Sequence, residues 1–93
     1  MHYTPRFLLG WIIATPAALA ALDKARKSPI HYLERHQQGD WGGLTPEDAQ
    51  DNELSLLYGL RLLSAYILPT GVKIWIITER DRSATTILLP EEY

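Results

Sequence analysis

The segment from residue 61 to residue 90 constrains the fold more than any other part of this chain. It contains three short runs rich in β-branched, aromatic and other apolar residues, which are Arg61–Leu68, Val72–Glu79 and Ala84–Pro90. Turn-forming residues separate the runs. Such a pattern is typical of strands that pair with their neighbours in chain order. The segment therefore predicts a three-stranded antiparallel meander.

The connection between the first two runs specifies the pairing. Pro69 suits the second position of a type I turn, and Gly71 can adopt the positive φ of a G1 bulge. This loop would place Leu68 opposite Val72 and divide the side chains between two faces. One face would carry Leu63, Ala65, Ile67, Lys73, Trp75 and Ile77, and the other Ser64, Tyr66, Leu68, Ile74, Ile76 and Thr78. Both faces are largely apolar, so the middle strand is expected to be central, although a one-residue slip would exchange the groupings.

The N-terminal segment from Phe7 to Ala14 reads as a further strand. Together with the alanine-rich stretch that follows, it also resembles a signal peptide, with residues 18–20 as the cleavage box. Only one basic residue, Arg6, precedes the apolar run, and Pro16 interrupts it. We therefore expect the segment to stay in the mature chain. The run is too short and interrupted for a membrane span, and we expect a cytoplasmic protein.

Three helix starts share one device, a hydroxyl residue followed by proline. The hydroxyls of Thr15, Ser28 and Thr45 can cap a helix whose first position is proline. We expect helices near residues 16–26, 29–38 and 46–60, with Gly39 ending the second. The sequence thus predicts a single α+β domain over residues 1–93. Its order is one strand, three short helices and a three-stranded meander forming one sheet, which the N-terminal strand is expected to join.

The third predicted helix has two possible inward faces. One consists of Ala49, Leu56 and Leu60, and the other of Leu54, Leu57 and Tyr58. With the first face inward, Glu53 would also point toward the core and would need a partner. With the second face inward, Glu53 would be solvated. The second arrangement is the prediction.

Composition and charge exclude some kinds of site. The chain has no cysteine, so it can form neither a disulfide nor a thiolate zinc site. Its net charge of −2 lacks the basic excess typical of nucleic-acid-binding proteins. The charge is unevenly spread, because residues 40–60 contain five acidic residues and no lysine or arginine.

The densest polar cluster lies in the connection between the second and third strands of the meander. Glu79 with Arg80 or Arg82 can bind an anion. With a histidine such as His36, these groups can also provide the acid, base and phosphate clamp of a nuclease. A charged tip is equally what solubility requires of an exposed hairpin. The exposed hairpin is the preferred interpretation, and these four residues are the candidate catalytic set.

Two further groups of residues have side chains that can bind a metal ion or a phosphate. His31 and His36 are five residues apart, so on a helix they point in different directions and would not share a metal. No metal or cofactor site is predicted. A basic patch over the first two helices can contact nucleic-acid phosphates, and its candidate members are Lys24, Arg26, Lys27 and Arg35. A solvated helix face is the preferred interpretation of these residues.

Five segments carry a family resemblance: residues 39–42 (Gly-Asp-Trp-Gly), residues 61–66 (Arg-Leu-Leu-Ser-Ala-Tyr), residues 74–79 (Ile-Trp-Ile-Ile-Thr-Glu), residues 81–83 (Asp-Arg-Ser) and residues 85–91 (Thr-Thr-Ile-Leu-Leu-Pro-Glu). Together they resemble a family of small uncharacterised bacterial proteins. Members are often carried on plasmids and integrated elements, under labels such as plasmid-related protein or type I restriction endonuclease subunit M. The chain has no Asn-Pro-Pro-Tyr motif and no glycine-rich methyl-donor loop, so the second label receives no support from its residues. The resemblance implies a mobile-element protein and no particular mechanism.

These observations favour a non-enzymatic binding or regulatory accessory protein. The alternatives are a small nuclease-like protein and a nucleic-acid-binding protein without chemistry. One layer of helices can cover only one face of the small sheet. Because exposed apolar patches often mark interfaces, the sequence also predicts a homodimer built on the sheet face or edge.

Overall fold

The computed structural model describes residues 4–93 of the chain. These residues form β1 (Trp11–Ala14), α1 (Pro16–Lys24), α2 (Pro29–Gln37), α3 (Pro46–Tyr58), β2 (Leu62–Ile67), β3 (Lys73–Thr78), β4 (Ala84–Leu88) and a final 3-10 turn (Pro90–Glu92). The α+β class and the order of the elements are confirmed. The first strand is shorter than expected, because Phe7 belongs to the preceding coil, where its ring is buried.

One mixed sheet contains all four strands, in the order β1-β4-β3-β2. β1 runs parallel to β4, whereas the other neighbours are antiparallel. The sheet therefore has one strand more than the predicted meander. The partner of β1 lies about 70 residues further along the chain, since Trp11 is opposite Ala84. Local turn patterns carry no information about a pairing over that separation.

The meander has the predicted register. The Leu68 amide donates to the Val72 carbonyl at 2.8 Å, and Gly71 has a φ of +93°. Ser64 is opposite Ile76, and Tyr66 is opposite Ile74. These four side chains lie on the face that α1 and α2 cover, where the three apolar ones join the main core: Ala18, Leu22, Tyr32, Leu33, Tyr66, Leu68, Ile74, Ile76 and Ile87.

The opposite face of the sheet is partly covered by the C-terminal segment. The Tyr93 ring lies 5.7 Å from the Trp75 ring, and the Arg61 guanidinium lies 5.5 Å from the Tyr93 centroid. Ile77 is next to Trp75 on this face and is only 5% exposed. Positions nearer the margins, such as Trp11, are exposed. The sheet face opposite the helices was expected to be open, but only its margins are exposed.

The three predicted caps are present. The hydroxyl oxygens of Thr15, Ser28 and Thr45 accept hydrogen bonds from backbone amides in the first turns of their helices. The helices end earlier than predicted. Arg26 takes a φ of +57° just after α1, and Gly59 takes the left-handed conformation directly after α3. These residues stop the right-handed geometry.

Candidate functional site

α3 buries two polar side chains and exposes three large apolar ones. Asn52 and Ser55 are 4% and 7% exposed, whereas Leu57 and Tyr58 are 72% and 69% exposed. Leu54 is also exposed. The predicted inward face, made of Leu54, Leu57 and Tyr58, is therefore wrong.

The side chain of Asn52 explains this orientation. Its amide nitrogen donates to the Leu63 carbonyl at 2.6 Å, and its amide oxygen accepts from the Leu63 amide at 3.1 Å. β2 lies at one end of the sheet, so its outward backbone groups need partners. Asn52 provides both hydrogen bonds from one side chain, and it can do so only when this side of α3 faces the sheet.

The inner side of α3 belongs to a second core cluster. Ala49 and Leu56 pack against Phe7, Trp41 and Leu62. The rings of Phe7 and Trp41 are stacked, with centroids 6.3 Å apart. Trp41 therefore covers the core beneath its loop, and its ring is not an exposed platform for a ligand.

Glu53 is tied to the N-terminal segment. Its carboxylate accepts two hydrogen bonds from the Arg6 guanidinium, at 2.7 and 3.0 Å, and one from the Trp41 indole at 3.0 Å. The hydrogen bond with Arg6 is the main reason that the pKa of Glu53 lies below its usual value. Glu53 is thus partnered, but its side chain is 48% exposed, so it neither enters the core nor lacks a partner.

The solvent-facing side of α3 is a two-part surface, which we call the α3 outer face. It consists of Glu47, Asp51, Leu54, Leu57 and Tyr58, which are all exposed. These residues recur at the three- and four-residue spacing that aligns side chains along one side of a helix. The first turns are acidic and the last turns are apolar. This combination can bind a partner that is both apolar and basic.

A cleft adjoins the end of the α3 outer face. Its volume is about 310 Å³, and it is lined by Leu60, Arg61, Glu79 and Arg80. Leu60 follows α3 closely in the chain and is itself 45% exposed. Within residues 4–93, Glu79 and Arg80 are in no ion pair. The cleft thus brings together two of the sequence-predicted candidates, and it adds Arg61, which the sequence analysis did not single out.

Arg82 has a different environment from Arg80. Its guanidinium donates hydrogen bonds to four backbone carbonyls, those of Ser55, Leu60, Glu79 and Arg80, at 2.7–3.3 Å. Desolvation lowers the pKa of Arg82 from its usual value. Arg82 therefore connects the β3–β4 hairpin to the end of α3, and its hydrogen-bonding groups are directed at the protein itself.

His36 is excluded from solvent. Its ring nitrogens lie 2.5 Å from Ser64 Oγ and 2.9 Å from Thr78 Oγ1, and its exposure is 0%. Burial, with a smaller contribution from the Arg82 charge, lowers the pKa of His36 to about 3. The imidazole is thus a neutral member of a buried network, and the residues lining the cleft do not include it.

The candidate basic patch divides into two environments. Lys24, Arg26 and Lys27 are exposed around the end of α1. Arg35 is committed elsewhere, because its guanidinium bonds Asp40 at 2.7 Å and lies 4.6 Å from the centre of the Tyr66 ring. The first three side chains remain available to a phosphate-bearing partner, whereas Arg35 already has an anionic one.

The α3 outer face cannot be recognised from the hydrophobic pattern of the helix alone. A helical projection of residues 46–58 does place Glu47, Asp51, Leu54 and Tyr58 on one side. Hydrophobicity alone then assigns the leucines to the core. Asn52 lies on the opposite side of the helix, and it indicates that this side faces the protein. It does so because its side chain bonds the backbone of Leu63.

Among residues 4–93, no group of three or more histidine, aspartate or glutamate side chains is arranged to hold a metal ion. No helix of that same range has the length and apolarity needed to cross a membrane. Comparisons with protein-family models, curated proteins and solved structures found no match to this chain.

Proposed function

We propose that the protein is a non-enzymatic binding module that docks a partner protein on the α3 outer face. The observation that carries this proposal is the exposure of Leu54, Leu57 and Tyr58 opposite the buried Asn52 and Ser55. A surface helix of an isolated protein normally has the reverse arrangement. Exposed apolar residues grouped in this way are typical of interaction sites.

The spacing and charge of this face indicate the class of partner. Leu54, Leu57 and Tyr58 form the short apolar stripe against which an amphipathic helix can pack. Glu47 and Asp51 extend the same side of α3, in a stretch of 21 residues with a formal charge of −5. A partner helix with an apolar stripe and flanking lysine or arginine residues complements both parts. The acidic half would mainly speed and orient its association.

The family resemblance supports a setting for this binding. The bacterial proteins that the chain resembles are often carried on plasmids and integrated elements, so the proposed partner is another protein of such an element, met in the cytoplasm. The protein would then act as an accessory or regulatory subunit. The buried position of His36 favours this role over nucleic-acid cleavage.

Peptide binding tests the proposal. The probe is a synthetic fluorescent amphipathic helix with leucines at positions i, i+3, i+4 and i+7 and lysines on its flanks, and a matched probe carries glutamates instead. We expect the lysine probe to bind more tightly. Leu57→Ala should weaken it about tenfold, because the lost apolar contact is worth about 1.4 kcal/mol.

Ile30→Ala is the matched control, because Ile30 is an exposed apolar residue on α2. It should leave the affinity unchanged. Equal binding of the two probes would contradict the proposed charge preference. Equal effects of Leu57→Ala and Ile30→Ala would show that the probe does not use α3, and the docking proposal would then fail.

A second candidate function is anion binding without chemistry at the cleft. The observation that favours it is the pairing of Arg61 and Arg80 in one cleft of about 310 Å³. Two guanidinium groups can bind the phosphate of a nucleic acid. Titration with a short single-stranded oligonucleotide tests this. Loss of binding in Arg80→Ala but not in Lys24→Ala would support the cleft, whereas the opposite result would support the basic end of α1.

A further inference from the structure

Along one side of β1, the backbone hydrogen-bonding groups face no strand of residues 4–93. The Trp11 amide donates to the Ser83 carbonyl at 2.9 Å, and the Thr15 amide donates to the Ile87 carbonyl at 3.0 Å. Backbone groups alternate in direction along a strand, so those of Ile12 and Ala14 point away from β4. In the part of the chain that the structure describes, β4 is the only strand beside β1. One side of β1 is therefore an open sheet edge.

The features that normally protect an open edge are missing from β1. No charged residue occurs between Phe7 and Leu22. The side chains of Trp11, Ile12 and Ile13 are 80%, 54% and 51% exposed, so apolar groups lie on both faces of the strand. Proteins usually blunt such an edge with lysine, proline or a bulge. β1 has none of these within its four residues.

The other end of the sheet is already covered. The Ala65 amide donates to the Trp41 carbonyl at 3.1 Å, and the Gly43 amide donates to the Ala65 carbonyl at 2.7 Å. Asn52 occupies the backbone groups of Leu63. The β2 edge is thus covered at Leu63 and Ala65, whereas no such contact covers β1 within residues 4–93.

We propose that β1 pairs with β1 of a second copy of this chain, antiparallel and across a two-fold axis. The pairing sets Ile13 on the axis and Ile12 opposite Ala14 of the second copy, so that the outward amides and carbonyls of both chains bond each other. The two sheets of four strands become one. This contact lies at the opposite end of the sheet from β2, against which α3 packs, and it does not depend on the proposed docking on α3.

Three observations favour a second copy as the occupant. Two-fold pairing satisfies both open edges at once. Within residues 4–93 the other edge strand, β2, is covered at Leu63 and Ala65, so assembly is expected to stop at two chains and not to continue into a fibre. The strand carries no charge, so its own copy meets it without like-charge repulsion. Because β1 is only four residues long, the association should depend on concentration.

Sedimentation equilibrium combined with hydrogen exchange tests the proposal on the whole chain. As concentration rises, the mass should approach twice 10.6 kDa, and the amides of Ile12 and Ala14 should become protected. Ile12→Pro removes an amide that points away from β4, so it should abolish the dimer and leave the circular dichroism unchanged. Ile12→Val keeps the amide and should keep the dimer.

A second variant covers the case in which proline disturbs the fold. Ile13→Lys puts two like charges opposite each other on the axis and should also give a single-chain mass. Leu57→Asn, on the α3 outer face, should remain dimeric. A single-chain mass for the unaltered protein at its highest soluble concentration would overturn the proposal. So would a dimer in which Ile13→Lys has no effect, or in which Ile12 and Ala14 exchange freely.

Discussion

His36 Nε2 lies 2.9 Å from Thr78 Oγ1 and donates a hydrogen bond to it within a buried network. Thr85 Oγ1 donates to the Leu9 carbonyl at 2.8 Å, so its proton is committed. Thr78 must therefore donate to Thr85, at 2.7 Å, and accept from His36. In the neutral ring the other nitrogen accepts from Ser64. The network connects α2, three strands and the segment before β1 without an unsatisfied group.

The first prediction is that mild acid destabilises the protein through His36. The folded-state pKa of about 3 lies below the usual unfolded value of about 6.5. Below pH 6.5 the His36 side chain therefore binds a proton in the unfolded chain but stays neutral in the folded chain. The free energy of unfolding should fall by about 2 kcal/mol between pH 7 and pH 5. Denaturant unfolding at each pH measures the change.

The control for this prediction is His36→Gln. It should be less stable than the unaltered protein at pH 7, and its stability should change much less between pH 7 and pH 5. Glu53 and Asp40 have lowered pKa values, so their contributions are lost only in stronger acid. An identical pH dependence in the variant would mean that His36 is not the titrating group.

The second prediction concerns Asn52. Asn52→Leu leaves the Leu63 amide and carbonyl without their partners and should lower the free energy of unfolding by about 1–3 kcal/mol. Gln50→Leu, at an exposed position of the same helix, is the control and should change it by less than about 0.5 kcal/mol. If Asn52→Leu were as stable as the unaltered protein, the bonds to Leu63 could not be the cause of the orientation of α3.

The third prediction concerns Gly71, whose φ is +93°. A side chain at this position would meet no atom within 4 Å, so only the backbone conformation opposes substitution. Gly71→Val should cost on the order of 1–2 kcal/mol, and Gly71→Asn should cost less, because asparagine tolerates positive φ better. Melting midpoints compare the two. Equal losses would indicate a steric cause that the structure does not contain.

The features predicted from the sequence depend on local chemistry. The meander register followed from Pro69 and Gly71, and the helix starts followed from the Thr-Pro and Ser-Pro pairs. The features that were missed depend on distant partners. The parallel pairing of β1 with β4 and the cover that Tyr93 provides join segments far apart in the chain. The same limit applies to α3, whose orientation depends on a bond between Asn52 and another element.

In the candidate site, too, the sequence predicted what depends on local chemistry and not what depends on distant partners. Glu79 and Arg80 are exposed in the cleft, at the charged hairpin tip where the sequence placed them. His36 and Arg82 are residue types that often act in catalysis. Tertiary contacts, however, bury His36 and direct the Arg82 guanidinium at backbone carbonyls. Residue type alone could not separate these two roles.

The last prediction separates Arg82 from Arg80. Arg82→Lys keeps the positive charge but cannot reproduce a fork that bonds carbonyls of both α3 and the hairpin. We expect it to lower the free energy of unfolding by about 2 kcal/mol, as expected when charged hydrogen bonds are lost. Arg80→Lys, its matched control at an exposed neighbouring position, should change the free energy by less than about 0.5 kcal/mol. Denaturant unfolding at neutral pH decides between them, and equal stabilities of the two variants would show that the Arg82 fork does not connect the hairpin to α3.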